Sequence, residues 1–278
     1  MRTITTEEII KGVRDTCIDA ACNLGEDAKK AIIEARDREE SPTGREVLSQ
    51  IIKNFEIAES ETVPMCQDTG ITVVFVEIGA EVHLEGPLED AINEGVRRGY
   101  KEGYLRKSVC DPLTRVNTKD NTPAIIHTRI VAGDKLRMII APKGGGSENM
   151  SALRMFKPSD GIEAVKDFVV DTIKNAGGNP CPPTVVGVGI GGSFEKSAII
   201  AKKAVIRPLG QKNADPEIAA IEDELLERIN ALGIGPMGLG GSTTAFAVHV
   251  ETHPCHIASL PVAINVQCHA DRHKEIVL

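Results

Sequence analysis

Tryptophan is absent from this 278-residue chain, and only two Tyr and six Phe occur. Base-stacking platforms for single strands are built from aromatic side chains, so this scarcity weighs against nucleic-acid binding. It also obliges the core to be made mainly of Ile, Val, Leu and Ala. Runs of like charge and basic stripes are missing, and the net charge of -8 disfavours a polyanion partner. No window approaches the ~20 apolar residues of a membrane span, and Met1-Arg2-Thr3 opens without a signal-peptide stretch. The expectation is a soluble, cytoplasmic protein with no nucleic-acid and no membrane partner. Linkers, low-complexity segments and sequence repeats are also lacking, which argues for one α/β unit over 1–278, with room for two lobes.

What the chain does have is 41% apolar content and seven cysteines. An odd count at irregular spacing gives no disulfide framework, so in a reducing compartment these are buried thiols or metal ligands. The opening third reads as helical. Thr5 or Thr6 can cap a helix carrying Ile9, Ile10, Val13, Cys17 and Ala21, a second helix spans about 26–39, and Ser41-Pro42-Thr43 opens a third.

Strand and helix then alternate: a β-branched run at 71–78, a helix at about 87–99, and two runs at 124–131 and 136–141 that read as a hairpin of an antiparallel or mixed sheet. A helix near 161–175, a strand at 184–188, helices at 193–204 and 216–232, a strand at 244–250, an apolar run at 257–266 and a polar tail at 268–274 follow. The fold class expected is therefore α/β (α+β), with mixed β-sheet layers, surrounding helices and a helical N-terminal third.

Cys66 lies in Cys66-Gln67-Asp68-Thr69-Gly70, a turn between a helix and a strand, where loops commonly carry function. Gln67 can donate and accept, Asp68 can serve as an acid–base group, and Thr69 adds a hydroxyl. A buried thiol beside a turn-forming Asp explains the segment equally well. Cys181 is bracketed by prolines in Asn179-Pro-Cys-Pro-Pro183, which keeps it out of helix and central strand. Cys268 follows Gln267 in the tail, and Cys255-His256 sits a little upstream. Cys66, Cys181 and Cys268 could complete a three-thiolate set, which leaves one iron of a cluster open, whereas four thiolates close it. Structural zinc is disfavoured because two close pairs of the C-x-x-C or H-x-x-H type do not occur together.

Gly187-x-Gly189-x-x-Gly192 formally matches a dinucleotide fingerprint, but the acid expected about twenty residues on is replaced by Ile206-Arg207-Pro208. Those glycines are expected to admit a ligand or to make a tight turn. Lys143-Gly144-Gly145-Gly146-Ser147-Glu148 is not a phosphate loop, although its amides could cradle a carboxylate. Arg106 is a candidate bidentate carboxylate clamp, against the plainer reading of a solvated surface charge.

Jointly, Met65-Cys-Gln-Asp-Thr-Gly70, Leu105-Arg-Lys-Ser108, Lys143-Gly-Gly-Gly-Ser-Glu148, Asn179-Pro-Cys-Pro-Pro183 and Ser259-Leu-Pro-Val262 with Cys268 resemble the iron–sulfur-dependent class I fumarase and tartrate dehydratase family, in order along the whole chain. In particular the chain resembles the α subunit of the two-subunit form. The resemblance implies a [4Fe–4S] cluster on Cys66, Cys181 and Cys268, with Cys255 as rival for the third place. It also places Gln67, Asp68, Arg106, the Gly145 loop and His256 around substrate.

The family's C-terminal part, which carries the catalytic base, finds no counterpart here. A β subunit is therefore expected, in an α2β2 assembly. The implied reaction is reversible dehydration of a 2-hydroxy dicarboxylic acid, malate to fumarate by preference and L-tartrate as the alternative, with Asp68 protonating the departing oxygen. A non-catalytic iron–sulfur sensor is the reading from another class.

Overall fold

The computed structural model describes residues 2–278. In chain order its elements are β1 (Arg2–Ile4), α1 (Thr6–Cys22), α2 (Glu26–Arg38), α3 (Pro42–Glu61), β2 (Ile71–Gly79), β3 (Val82–Leu84), α4 (Leu88–Glu102), β4 (Ile125–Val131), β5 (Leu136–Lys143), the single turn α5 (Gly145–Glu148), β6 (Ala152–Phe156), α6 (Gly161–Ala176), β7 (Thr184–Gly191), α7 (Phe194–Ala204), α8 (Pro216–Asn230), β8 (Ala245–His253), β9 (Leu260–Gln267) and β10 (Lys274–Val277). The expected class holds: mixed sheets, surrounding helices and a helical opening third. Among the described residues no helix is long and apolar enough to cross a membrane.

The chain forms two compact units, the first from residues 2–25, 54–145 and 272–278, the second from 26–53 and 146–271. In the first, Thr5 caps α1: its hydroxyl accepts from Glu8 N at 3.2 Å while the Glu8 carboxylate accepts from Thr5 N at 2.8 Å. The apolar stripe of α1, with Ile9, Ile10, Val13 and Cys17, packs with Ile92, Val96 and Tyr100 of α4 over Val74 and Val76 of β2 and Met138 and Ile140 of β5. A two-stranded parallel pairing of β1 with β3 lies in the same unit.

The main sheet here runs β10-β5-β2-β4. The two runs expected to form a hairpin, β4 and β5, do not pair with each other. Instead β2 lies between them, parallel to β4 and antiparallel to β5. The 132–135 connection crosses the end of β2, where Ala80 N donates to Val131 O and Gly79 N to Lys135 O. A short polar turn between two apolar runs looks identical whether the strands touch or straddle a third.

The second unit has the sheet β6-β9-β7-β8. Val186 and Val188 of β7 face a core filled by Val165, Val169 and Ile173 of α6 and Leu225 and Ile229 of α8. The alternate positions of β7 are Gly187 and Gly189, and α7 covers them. A Cβ on Gly187 would lie 2.2 Å from Ala201 O, and one on Gly189 would lie 2.1 Å from Ser197 O. These glycines therefore admit a helix backbone rather than a ligand, which corrects the sequence reading; the tight turn is made just beyond them, at Gly191 and Gly192.

Each unit follows one strand plan: a parallel pair (β2 with β4, β7 with β8), an antiparallel neighbour (β5, β9), and an antiparallel edge strand (β10, β6). The edge strands are exchanged. After β5 the chain supplies β6 to the second sheet, and after β9 it supplies β10 to the first. The repeat missing from the sequence is thus present in the topology. β10 begins at Lys274, the last residue of the segment that reads as a polar tail, and continues beyond it to Val277.

Candidate active site

In the first unit, one end of the sheet gathers the loops of interest. β2 begins at Ile71 opposite the last residue of β5, Lys143; β10 begins at Lys274 opposite Ile140; β4 begins at Ile125 opposite Val73. Residues 66–70, Gly144 and Gly145, Arg272 and the segment leading into β4 therefore all stand at that end.

Asp68 is its centre. Its Oδ1 accepts from Gly70 N at 3.0 Å and its Oδ2 from Gly145 N at 2.8 Å, while its carbonyl accepts from Arg272 Nη1 at 2.9 Å. The buried Tyr100 hydroxyl lies 2.8 and 3.0 Å from the carbonyls of Thr69 and Gly70. Burial, first of all, pushes that phenol well above its ordinary value, so it stays a neutral donor. Asn121, also buried, donates to Gly70 O at 3.2 Å and accepts from Ser108 N at 2.7 Å, and Thr69 Oγ1 donates to Arg106 O at 2.8 Å.

Fixed backbone thus presents exposed tips. The side chains of Gln67 and Arg106 are exposed, and the half-buried Cys66 thiol approaches Gln67 Oε1 at 3.5 Å. The Gly145 amide, in the loop that the resemblance places around substrate, is directed at Asp68 Oδ2.

The second unit repeats this placement. Val185 of β7 opposes Gln267 of β9, so the segment before β7 and the segment after β9 share one sheet end. There His269 N and Nδ1 lie 3.3 and 3.0 Å from Cys181 O, which sets the Cys181 and Cys268 loops side by side. Cys181 takes a left-handed φ of 56°, and Met237 N donates to the following Pro182 O at 2.7 Å.

The glycine-dense stretch that braces Pro182 is itself clasped by Glu39. This fully buried carboxylate accepts from Ser242 N, Thr243 N and Ser41 N at 2.8, 3.0 and 3.0 Å. Burial alone would raise its pKa; the amides of Ser242 and Ser41 prevail and hold it below the usual carboxylate range.

Cys255 and His256 sit at the other end of this sheet, beyond the His253 terminus of β8. From Val185 to Gly191 is six residues of strand, about 20 Å. Cys255 Sγ donates to Ser259 O at 3.2 Å and His256 Nδ1 accepts from Ala258 N at 3.1 Å, in an exposed turn. The structure therefore joins Cys268, and not Cys255, to the Cys181 loop.

All seven cysteines are free thiols. Burial pushes Cys17 up to about 12, which leaves it inert, whereas Cys66, Cys181 and Cys268 are half-buried in loops, where a thiol stays reachable. In kind the donor set fits an iron–sulfur cluster. Among the described residues no group of three or more His, Cys, Asp or Glu side chains is already arranged to hold a metal ion.

The family model described as fumarate hydratase (Fumerase) matches residues 10–277. The chain belongs to the fumarate hydratase family. Among its relatives in that family is a Methanocaldococcus jannaschii protein provisionally named L(+)-tartrate dehydratase subunit alpha, 50% identical over 91% of this chain and 92% of its own. The L(+)-tartrate dehydratase subunit alpha of Escherichia coli strain K12 is 32% identical over 90% of this chain and 84% of its own. The fumarate hydratase family is one of hydro-lyases, and both relatives bear hydro-lyase names.

Sequence reasoning missed four residues that brace the loops of the two units: Tyr100, Asn121 and Arg272 in the first and Glu39 in the second. Only Arg272 carried a signal, a guanidinium four residues past Cys268 in a segment read as tail.

Proposed function

We propose that this chain is the α subunit of a hydro-lyase that removes water from a 2-hydroxy dicarboxylate, L(+)-tartrate in the first instance, together with a β subunit in an α2β2 assembly. The observation that carries the reading is Asp68, held by both oxygens and its carbonyl at a sheet end where the side chains of Gln67 and Arg106 are exposed.

Elimination breaks a C–O bond and a C–H bond, and the oxygen must leave protonated. Asp68, whose oxygens keep lone pairs beyond those facing Gly70 and Gly145, delivers that proton. Arg106 grips one substrate carboxylate in bidentate fashion, and the Gln67 amide orients the second polar group. The carbon-bound proton goes to a base on the β subunit. A [4Fe–4S] cluster on Cys66, Cys181 and Cys268 would supply a Lewis acid that eases departure of hydroxide. The half-burial of these thiols and the pairing of the Cys181 and Cys268 loops support that ligand set.

The tartrate names of the relatives support the substrate. The family's description supports malate and fumarate as a second reading. Anaerobic co-expression with the β subunit, iron loading and assay on each acid tests both. Turnover of L(+)-tartrate at a kcat/KM at least about tenfold above that for malate is expected, since one added hydroxyl read by hydrogen bonds can discriminate far more than this. Preference for malate would replace the first reading with the second. Absence of turnover on either acid by the iron-loaded pair would sink the proposal.

A further inference from the structure

We infer that Arg272 is a positioning residue for Asp68, its guanidinium fixing the Asp68 carbonyl so that the carboxylate is aimed. The inference rests on the reading of Asp68 as proton donor given above.

Arg272 is 2% exposed, yet among the described residues no carboxylate lies within ion-pair distance of it. Among the described residues its buried Nε has no hydrogen-bond partner. A guanidinium taken out of water without a counter-ion carries a heavy desolvation cost, and an apolar side chain of similar volume would ordinarily suit such a place better. Among the described residues its one hydrogen bond runs from Nη1 to Asp68 O at 2.9 Å. That bond is therefore where its role is to be sought.

Its position along the loop is informative. On the C-terminal side of Asp68, the carbonyls of Thr69 and Gly70 are already held by Tyr100 and Asn121. On the N-terminal side, Met65 is held at both ends, its N donating to Ala21 O and its carbonyl accepting from Asn54 Nδ2 at 2.8 Å. Between these anchors the carbonyl of Asp68 has one donor, Arg272.

Release of that carbonyl would let the peptide plane after Asp68 rotate. The Cα–Cβ direction would then turn with it, and the carboxylate would lose register with the amides of Gly70 and Gly145. A planar, rigid fork suits this task better than a flexible ammonium. Gly144 keeps the space open: a Cβ there would stand 3.2 Å from Asp68 Oδ2 and 3.6 Å from Arg272 Nη2. Residue 144 thus lies beside both the carboxylate and the guanidinium.

Two measurements test the inference on the α subunit in its complex with the β subunit. In steady-state kinetics, Arg272→Met and Arg272→Gln are expected to lower kcat by roughly ten- to a hundredfold with KM held within about twofold, the cost of a misaimed group. Arg272→Lys, which keeps a donor of similar reach, is expected to recover part of the loss. A raised KM with unchanged kcat would make Arg272 a substrate contact and overturn the inference, as would an unchanged kcat in Arg272→Met.

The second readout does not depend on turnover. Amide hydrogen exchange in Arg272→Met is expected to accelerate about tenfold or more at Gly70 and Gly145, with the β2 amides of Val73 to Ile78 unaffected. Unchanged exchange at Gly70 and Gly145 overturns the proposal. So does acceleration throughout the sheet, which would make Arg272 a stabiliser of the fold alone. An inactive wild-type complex that shows the local exchange response would instead put the fault with the hydro-lyase reading.

Discussion

Gly145 donates its amide to Oδ2 of Asp68 across 2.8 Å, joining the turn ahead of β2 to the residue that opens α5. Because Oδ1 is bonded to Gly70 within the same turn, the carboxylate is held in plane by two donors from separate segments. Pre-organisation of this kind removes the need to reorganise during reaction.

Asp68→Asn keeps the size of the side chain and removes its proton-transfer capacity. Turnover in the presence of the β subunit is expected to fall at least about a hundredfold, in line with loss of a general acid. Visible absorbance of the reconstituted cluster is expected to stay at the wild-type level, since the thiols are untouched. Near-normal turnover would remove Asp68 from the chemistry.

The two ends of the β6-β9-β7-β8 sheet separate the candidate ligands. Serine substitutions at Cys66, Cys181 and Cys268 are each expected to reduce bound iron and sulfide after anaerobic reconstitution to a small fraction of wild type. Cys255→Ser is expected to retain full iron content, because Cys255 lies about 20 Å along the sheet from the Cys181 end. Iron analysis of the four variants decides the ligand set, and loss of iron in Cys255→Ser would reinstate it as the third ligand.

Glu39 makes the stability of the second unit depend on acid. Its pKa lies below the ordinary 4.5 in the folded chain, so its contribution is fully present above that value and drains away as pH falls through the lowered one. Glu39→Ala, which strands the amides of Ser41, Ser242 and Thr243, is expected to cost about 2–4 kcal/mol near neutral pH. In thermal melts the gap between wild type and variant is expected to narrow below pH 4.5. A gap that does not change with pH would show that the clasp does not act through its charge.

Much of this was legible in the sequence because local signals agreed. The capping box at Thr5 and Glu8, the prolines opening α3 and α8, and the β-branched runs of β2 and β7 each speak for their own element. The loops carrying Cys66, Cys181 and Cys268 were also readable, since Pro and Gly bracket them.

Pairing was not readable. Whether Ile125–Val131 touches Leu136–Lys143 or straddles β2 depends on a strand more than forty residues upstream, about which a turn of ordinary composition says nothing. Gly187 and Gly189 look like a ligand loop because the identity of the backbone that approaches them is a tertiary fact. Arg272 and Glu39 resemble surface charges in a polar context, and only burial reveals that each holds a carbonyl or a row of amides.

The exchange of edge strands has a consequence for how the chain matures. Until Lys274–Val277 has been synthesised, β5 has no neighbour on its outer side, and Met138 and Ile140 wait beside an open ladder that could recruit a stray strand. The first sheet therefore cannot be finished until every strand of the second has been translated. Its closure depends on a segment that follows Cys268, and until that segment pairs, the outer edge of β5 stays open to stray pairing.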